Sequence, residues 1–410
     1  MTAVAFLAER LREQRNATAR FYRARLAFTT QRRNTKMQNS RGRIDRRALL
    51  AGTSAGTLSL LMPRANAFSA DSPTITPPAL DALEIRVVTD GLSYALAKSG
   101  KEGDVEVIRP GHFLSENAPP HKALIGEFGL SLYAESRQRE QVQRVLVDFG
   151  YTSDALNNNL DLLGIDVAQI DALVLSHGHY DHFGGLDGFL EKNKNVLKFD
   201  IPLYLGDAEV FCARRYVRNG KNYGVIDRVA LSASPVRAVS SDAPTLIANH
   251  ALSTGQIPQS GFEKVLSPTQ FEVGLDSARN GCPAGQLPAS LRGDGAHPDD
   301  FHHEIATAYH VRDKGLVVLT SCGHRGVLNS IRQAQKISGI KQVHAVIGGF
   351  HLAPHNAAYV EETLDGLLNL DVAHIIPLHC SGEAFYERAR ARAPERLIRA
   401  YVGTTLKFTA

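Results

Sequence analysis

Apolar runs that stop abruptly at histidine are the strongest pattern in this chain. The runs at 172–175, 316–321, 343–352 and 372–382 are almost wholly hydrophobic, and each reaches a histidine at or just beyond its end. Continuous apolar runs of this length are typical of strands that are buried on both faces. The pattern therefore predicts buried strands that carry the histidines to the edge of a sheet. Those histidines are His177, His324, His351 and His379.

The rest of the chain alternates predicted strands with predicted helices. Further strands are predicted at 83–90, 125–134, 144–150, 201–205 and 304–311, with a hairpin turn at 136–140. Helices are predicted at 154–163, 186–192, 327–337 and 359–370, and a helical patch around 214–216. Residues 98–122 are predicted to be mostly loop. The Gly-, Pro- and Ser-rich stretch 254–300 is predicted to be a long loop of the kind that covers an active site. This order of elements favours an α/β (α+β) fold.

The densest group of chemically active residues follows the run at 172–175. His177, His179, Asp181 and His182 lie within six positions, and Gly184-Gly185 follow after Phe183. Imidazole and carboxylate ligands together suit zinc and neighbouring transition metals. The alternative is a polar loop that is rich in histidine by chance, and the spacing argues against it. His324 and His379 are further candidate ligands, whereas His374 lies inside an apolar run and is expected to be a hydrogen-bonded core histidine.

This pattern resembles the signature of the metallo-β-lactamase superfamily. The segments 319–326, 347–352 and 377–382 are similar to its branch labelled 7,8-dihydropterin-6-yl-methyl-4-(β-D-ribofuranosyl)aminobenzene 5′-phosphate synthase-like. The resemblance implies a four-layer αββα sandwich with a site for one or two metal ions at the rim between the sheets. Zinc is the expected metal, with iron or manganese as alternatives.

The resemblance also implies roles for individual residues. One metal would be held by His177, His179 and His324, and the second by Asp181, His182 and His379. A metal-bound hydroxide would attack a small ester, lactone, amide or phosphoester, and Asp181 would steer the water or accept its proton. The aspartate that usually bridges the metals has no counterpart at a strand end, and His324 or His351 is expected in its place.

Other residues are expected to support the site. Asp148 precedes Phe149-Gly150 where the superfamily has an Asp-Thr-Gly-like triplet, and it is expected to orient ligands or backbone. His351, Cys322 and Cys380 are candidates for contact with substrate or with the ligands. Cys212 and Cys282 complete the four cysteines. The chain has no CxxC pair, and Cys322 and Cys380 could be thiols beside the metal or a disulfide.

Two alternative functions remain at this point. The chain could be a di-iron redox protein of the same fold, or a protein that binds a small molecule and holds a metal without catalysis. Flavin-linked members of the superfamily usually have Glu where His179 stands here. Zinc in the purified protein would favour hydrolysis, and two irons with visible absorbance would favour redox chemistry.

The N-terminal region has the composition of a leader. Residues 37–67 contain Arg46-Arg47, then a modestly apolar segment, then Ala65-Asn66-Ala67. Together these features resemble a Tat signal peptide and predict export to the periplasm. Either Met37 is the start, or residues 1–36 are a disordered or non-native extension. Residues 68–82 are expected to be a linker to a domain at 83–410. The apolar run at 48–62 is too short and polar for a stable membrane span.

Charge is divided unevenly along the chain. Residues 1–67 hold 14 Lys and Arg against 3 Asp and Glu, whereas the remainder holds 32 against 39. An acidic body argues against a nucleic-acid partner, because phosphate binding requires a basic surface. The expected partner is therefore a small-molecule substrate, and the pattern predicts no particular oligomeric state.

Overall fold

The computed structural model describes residues 74–110, 122–273, 281–282, 285, 287, 289–291 and 295–410. The predicted extension at 1–36 and the predicted signal peptide at 37–67 lie outside these residues. The described residues all belong to one compact unit of the chain.

Twenty strands are found within the described ranges. In chain order they are β1 (Ala79–Leu80), β2 (Ala82–Thr89), β3 (Gly100–Glu102), β4 (Val105–Ile108), β5 (Ser131–Gln138), β6 (Gln141–Val147), β7 (Ala172–Leu175), β8 (Ile201–Leu205), β9 (Ala213–Tyr216), β10 (Asn222–Gly224), β11 (Val236–Ser240), β12 (Thr245–Ile247), β13 (Ala251–Ser253), β14 (Thr269–Val273), β15 (Gly295–Pro298), β16 (Thr307–Val311), β17 (Gly315–Ser321), β18 (Val343–Gly348), β19 (His374–Pro377) and β20 (Thr405–Thr409).

These strands form two large sheets and one small one. The nine-stranded sheet has the order β11-β8-β7-β6-β5-β2-β20-β4-β3. The seven-stranded sheet has the order β12-β13-β16-β17-β18-β19, with β1 paired to β16. The small sheet has the order β10-β9-β14-β15.

Seven α-helices are present in the same part of the chain. They are α1 (Ser153–Leu162), α2 (Tyr180–Phe183), α3 (Leu186–Asn193), α4 (Arg228–Ala233), α5 (Val327–Ser338), α6 (Ala357–Asn369) and α7 (Glu383–Arg392). None of the described helices is both long and apolar enough to cross a membrane.

Three hydrophobic clusters show how the layers are stacked. One cluster joins the two large sheets face to face and includes Leu83 and Val174 from one sheet and Val317 and Ile376 from the other. A second cluster packs α1 and α3 on the outer face of the nine-stranded sheet. A third packs α5, α6 and α7 on the outer face of the seven-stranded sheet. The predicted four-layer αββα sandwich is therefore confirmed.

Parallel pairing brings several strand ends to one edge. The strands β6, β7 and β8 are parallel neighbours in one sheet, and β17, β18 and β19 are parallel neighbours in the other. The carboxyl ends of parallel strands lie at the same edge of a sheet. The residues that follow β6, β7, β17, β18 and β19 therefore meet at one rim of the sandwich.

Several element predictions were wrong. The segment with Arg214, Arg215 and Tyr216 is strand β9 and not a helical patch, because it pairs with β10 and β14 in the small sheet, where Arg214 is buried. The stretch 98–122 was predicted as loop but contains the β3–β4 hairpin. The predicted strand at 125–134 begins only at Ser131 and runs on to Gln138.

The C-terminal half also departs from the prediction in places. The predicted strand at 372–382 ends at Pro377, and His379–Ser381 forms a 3₁₀ turn. The final strand β20 was not predicted. The stretch 254–300 is not wholly a loop, since it contributes β14 and β15 to the small sheet; its residues 274–280, 283–284, 286, 288 and 292–294 lie outside the described part.

A disulfide that the sequence did not predict joins Cys212 to Cys282. Cys212 immediately precedes β9, and its side chain packs with Phe271 and Val273 of β14. The bond therefore ties together the segments that flank the small sheet.

A buried carboxylate from a distant segment caps helix α5. The helix follows Gly326, which has no side chain to act as a cap, and Glu263 instead accepts hydrogen bonds from the backbone N–H groups of Leu328 (3.0 Å) and Asn329 (2.7 Å). Burial raises the pKa of the Glu263 carboxyl to about 7, although the two N–H groups oppose this. The loop with His324 directly precedes this helix, so the cap also fixes the loop.

The raised pKa of Glu263 predicts how stability changes with pH. Since the folded pKa of this acid lies above its unfolded value of 4.5, its contribution to folding becomes less favourable as pH rises from about 4.5 to about 7. The free energy of unfolding of the wild type, minus that of Glu263→Gln, should fall by roughly 3 kcal/mol across this window. Urea unfolding of both metal-free proteins at several pH values measures this difference. The exposed Glu191→Gln variant is the control, and a difference that stays constant with pH would contradict the prediction.

Candidate metal centre

The histidine-rich turn begins where β7 ends, and Asp148 holds it in place. Asp148 Oδ1 accepts from the Ser176 N–H at 2.8 Å, and Oδ2 accepts from the Ser176 hydroxyl at 2.8 Å. Oδ2 also lies 2.8 Å from Nδ1 of His182, so this ring presents its other nitrogen, Nε2, to the rim. Asp148 thus orients the turn and one ring.

The other two ligand-bearing loops are held in the same way by different carboxylates. Glu304 accepts from the N–H groups of His324 (2.8 Å) and Arg325 (2.7 Å). Asp90, directly after β2, accepts from the N–H of His379 at 2.8 Å. Burial raises the pKa of both the Asp90 and the Glu304 carboxyl groups.

The first group of three histidines is His177, His179 and His324. Their ring centroids lie 4.8–5.0 Å apart, and all three side chains are buried. Nε2 of His177 and Nε2 of His324 are buried without a hydrogen-bond partner. His179 Nε2 lies 2.8 Å from the Thr269 hydroxyl oxygen, which leaves Nδ1 as its free ligand atom.

The second group is Asp181, His182 and His379. Nε2 of His379 lies 3.2 Å from Asp181 Oδ2 and 3.2 Å from Nε2 of His182. Two imidazole nitrogens that face each other at this distance require a shared proton or a cation between them. The six residues predicted as metal ligands are therefore brought together as two adjacent groups of three.

Cys322 lies between the two groups. Its Sγ forms one cluster with ligand atoms of His177 and His324, and another with ligand atoms of His182 and His379, with all atoms of each cluster within 4.8 Å of one another. The sequence predicted His324 or His351 at the bridging position. In the structure the thiol of Cys322 is the side chain that reaches both groups.

His351 and Cys380 lie beside Cys322. The ring of His351 is 3.9 Å from that of His324, centroid to centroid, and its Nε2 lies 3.1 Å from the Leu266 carbonyl oxygen. Cys380 Sγ is 3.1 Å from Cys322 Sγ, and both cysteines are free thiols. Of the two possibilities left open for this pair, the structure shows thiols beside the ligands.

The electrostatics of the site favour a bound cation. Burial and the neighbouring imidazoles lower the pKa of His177 and His324, so these rings are neutral and have a free lone pair for a metal. Burial alone would raise the pKa of Asp181, but the His182 and His379 imidazoles hold it well below its usual range. Despite burial, the Cys380 and Asp181 side chains raise the pKa of His379 to about 9. The Asp181 side of the site therefore stabilises positive charge, while the other side offers neutral imidazoles.

A buried polar network supports the turn from below. The N–H of Gly178 donates to Nε2 of His303 at 3.0 Å, and His303 Nδ1 lies 2.8 Å from Glu209 Oε1. Arg214, fully buried, donates from Nε to Asp299 Oδ2 at 2.8 Å. A Cβ at position 178 would collide with the Arg214 guanidinium, so only glycine fits there.

Sequence reasoning missed several residues of the site. The hydroxyl of Tyr223 donates to Asp181 Oδ1 at 2.9 Å, and burial beside this carboxylate raises the pKa of Tyr223, so it stays protonated. Thr269 and Asp299 both approach the His179 ring. Asp90 ends a predicted strand, which is a usable signal, whereas nothing in the local pattern singles out Tyr223.

The donor set fits a metal centre of two ions or one. Neutral imidazoles, a carboxylate and a thiol are the ligand types that zinc prefers in proteins. The partnerless Nε2 atoms of His177 and His324, and the facing nitrogens of His182 and His379, are the observations that fit a cation at each group.

Comparisons with known proteins agree with this architecture. Residues 142–198 match the family described as Metallo-beta-lactamase superfamily. The chain is 28% identical over 290 residues to the 7,8-dihydropterin-6-methyl-4-(beta-D-ribofuranosyl)-aminobenzene-5′-phosphate synthase of Methanocaldococcus jannaschii, covering 69% of this chain and 90% of that protein. It is 26% identical over 266 residues to an uncharacterized protein of the same organism, covering 64% and 87%.

A solved structure shows the same fold. The crystal structure described as a metal-dependent hydrolase of the beta-lactamase superfamily superimposes with a TM-score of 0.57 at 20% identity, covering 80% of this chain and all of that one. Together with the αββα layers and the cluster of candidate ligands at their rim, these matches show that the chain is similar to proteins of the metallo-β-lactamase superfamily and shares their fold.

Proposed function

We propose that this protein is a zinc-dependent hydrolase that acts on a small ester, lactone, amide or phosphoester. The observation that carries the proposal is the convergence of two three-residue ligand groups at the rim, with buried ring nitrogens of His177 and His324 that lack any other partner. A metal bound by such groups lowers the pKa of water and polarises a carbonyl or phosphoryl oxygen.

The chain's own residues supply positioning. Asp181 is ionised, and its Oδ1 is fixed by the Tyr223 hydroxyl while its Oδ2 faces His379. A carboxylate held in this way stays ionised and can orient a water molecule beside it. Tyr223, which remains protonated, keeps the carboxylate from rotating.

Aromatic side chains surround the ligands and indicate the kind of substrate. Phe128 is 59% exposed and its ring is 4.8 Å from that of His379, while Tyr151 is 40% exposed and packs edge-on against Tyr180. On the other side, Tyr223 packs against the His179 ring and against Tyr216. Exposed rings at a site offer flat apolar surface, which favours a substrate with an aromatic or acyl group beside the bond that is cleaved.

A synthase reaction is the second candidate. The methanogen relative is named as a synthase of a dihydropterin and aminobenzene phosphate compound, and it matches this chain over most of its length. The aromatic rings at the rim would also suit ring-bearing substrates of that kind.

The predicted signal peptide at the N-terminus indicates the compartment in which the protein acts. We propose that the twin-arginine segment at 37–67 directs export through the Tat route to the periplasm, where the enzyme would meet a small-molecule substrate. An exported protein has no evident access to a cytosolic pterin pathway, and this favours the hydrolase over the synthase.

A substrate panel on metal-analysed protein tests the proposed function. Aryl and alkyl esters, lactones, amides and phosphodiesters are offered to protein of known metal content. Zinc together with turnover of at least one class supports the hydrolase. Two bound irons with visible absorbance would contradict the hydrolase and favour a redox function. Full zinc loading without any turnover would favour the synthase or a binding protein.

Removal of one ligand should remove both metal and activity. We expect His177→Ala and His324→Ala each to lower the metal content and to reduce turnover to background, because each removes one of three ligands at the same position. Elemental analysis and turnover on the same samples give the measurement. The control is His302→Ala, whose ring pairs with Asp300 at the surface; a ligand variant that retains full activity without metal would overturn the scheme.

The position of Cys322 predicts a spectroscopic signature. Cobalt-substituted protein should show a thiolate-to-cobalt charge-transfer band in the near ultraviolet, because the Sγ atom lies within reach of both ligand groups. Cys322→Ser should lose the band while still binding cobalt, and Cys380→Ser should keep it. A band that depends on Cys380 instead would assign the ligand role to that thiol.

A further inference from the structure

A second cluster of ligand-type side chains lies at the opposite end of the same strands. His344 is the second residue of β18 and His374 is the first residue of β19, whereas the candidate metal centre follows the last residues of these strands. Four residues of extended chain separate His344 from Gly348, or about 13 Å. Asp104 completes the cluster from the turn between β3 and β4.

Three ligand atoms converge in this cluster. Asp104 Oδ1 lies 2.7 Å from Nε2 of His374 and 3.6 Å from Nε2 of His344. All three atoms lie within 4.8 Å of one another, which is the spacing of side chains that share one ion. Both imidazoles are only 5% exposed, while the Asp104 side chain is 39% exposed, so the cluster is buried on the imidazole side and open to solvent on the carboxylate side.

A structural ion pair does not account for the whole arrangement. Lys314 Nζ lies 2.5 Å from Asp104 Oδ2 and already neutralises the carboxylate. His344 Nε2 is too far from Asp104 Oδ1 for a hydrogen bond, yet it faces that atom. Burial lowers the pKa of His344 to about 4, so this ring is neutral and its lone pair is available. One buried imidazole would satisfy the carboxylate, but two are present.

The backbone is shaped to bring Asp104 onto the rings. Gly103 has a left-handed conformation (φ 63°), and a Cβ there would lie 2.6 Å from Cε1 of His374. Only glycine therefore allows the turn to approach the imidazole so closely.

We propose that Asp104, His344 and His374 form a binding site for a divalent transition metal such as Zn²⁺, Ni²⁺ or Co²⁺. Two imidazoles and one carboxylate are a ligand set that these ions favour, with open positions for water on the solvent side. Lys314 would compete with the metal for the carboxylate of Asp104. The site is separate from the candidate metal centre and does not depend on the proposed hydrolase activity.

The site would join the two large sheets. Asp104 lies in the turn that joins the edge strand β3 of the nine-stranded sheet to its neighbour β4, whereas the histidines belong to the seven-stranded sheet. A metal held by all three would clamp the β3–β4 hairpin to the opposite sheet. It would stabilise the folded protein by an amount that rises with the logarithm of the free metal concentration above its dissociation constant.

Nickel titration of the full-length, zinc-loaded protein tests the proposal. Calorimetry should show one further equivalent of Ni²⁺, and thermal unfolding should shift upward with it. Asp104→Asn and His374→Gln should each weaken this binding at least about tenfold, while the zinc content of the candidate metal centre stays unchanged.

Lys314→Met distinguishes a metal site from a simple ion-pair network. Removal of the competing ammonium should tighten Ni²⁺ binding severalfold, whereas the control Lys407→Met, which removes a lysine near Glu84 and Glu106 on β2 and β4, should leave it unchanged. The proposal is overturned by the absence of an extra equivalent, by an extra equivalent that persists in Asp104→Asn and His374→Gln, or by weaker Ni²⁺ binding in Lys314→Met. Circular dichroism confirms that each variant is folded.

Discussion

Buried carboxylates that accept hydrogen bonds from the ligand-bearing turns are the interaction on which this site depends. Asp148 holds the turn after β7, Glu304 holds the loop of His324, and Asp90 holds the loop of His379. A carboxyl group out of water must be hydrogen-bonded, because leaving a buried polar group without a partner costs about 1–3 kcal/mol. Each carboxylate therefore favours the one backbone conformation of the turn that satisfies its hydrogen bonds. In that conformation the turn directs an imidazole to the rim.

The consequence is a site that is shaped before any metal arrives. The carboxylates come from segments far from the turns that they hold, such as Asp90 and His379, which are 289 residues apart in sequence. The fold of the whole sandwich must therefore be complete before the ligands converge. Cys322, between the two groups, adds a soft donor to a set of hard and borderline ligands, and this favours zinc or cobalt over magnesium or calcium.

The sequence allowed the layers and the candidate ligands to be predicted for a physical reason. Strands buried on both faces are continuous apolar runs, so their ends are visible, and histidines at those ends stand out. The αββα class, which the structure confirms, and the two groups of candidate ligands, which remain a prediction, followed from that pattern and from the superfamily resemblance. Arg214 was misassigned because its cationic side chain, which pairs with Asp299 in the interior, looks like a surface residue in the sequence.

Residues that act through long-range contacts could not be predicted in this way. Glu304 and Glu263 resemble ordinary acidic residues until the fold places backbone N–H groups against them. The bridging position of Cys322 depends on how the loop after β17 turns, since Gly323 follows it in a left-handed conformation. The β3–β4 hairpin, with Asp104 at its turn, was missed because its strands are only three and four residues long, too short for a clear pattern.

The metal affinity of Asp148→Asn is the measurement that tests the central claim most directly. The amide cannot accept from Ser176 and His182 as the carboxylate does, so the turn and the His182 ring lose their common anchor while the ligands themselves remain. We expect a protein that keeps its fold by circular dichroism but binds zinc about 10–100-fold more weakly. An affinity equal to that of the wild type would show that the buried carboxylates do not set the geometry of the site.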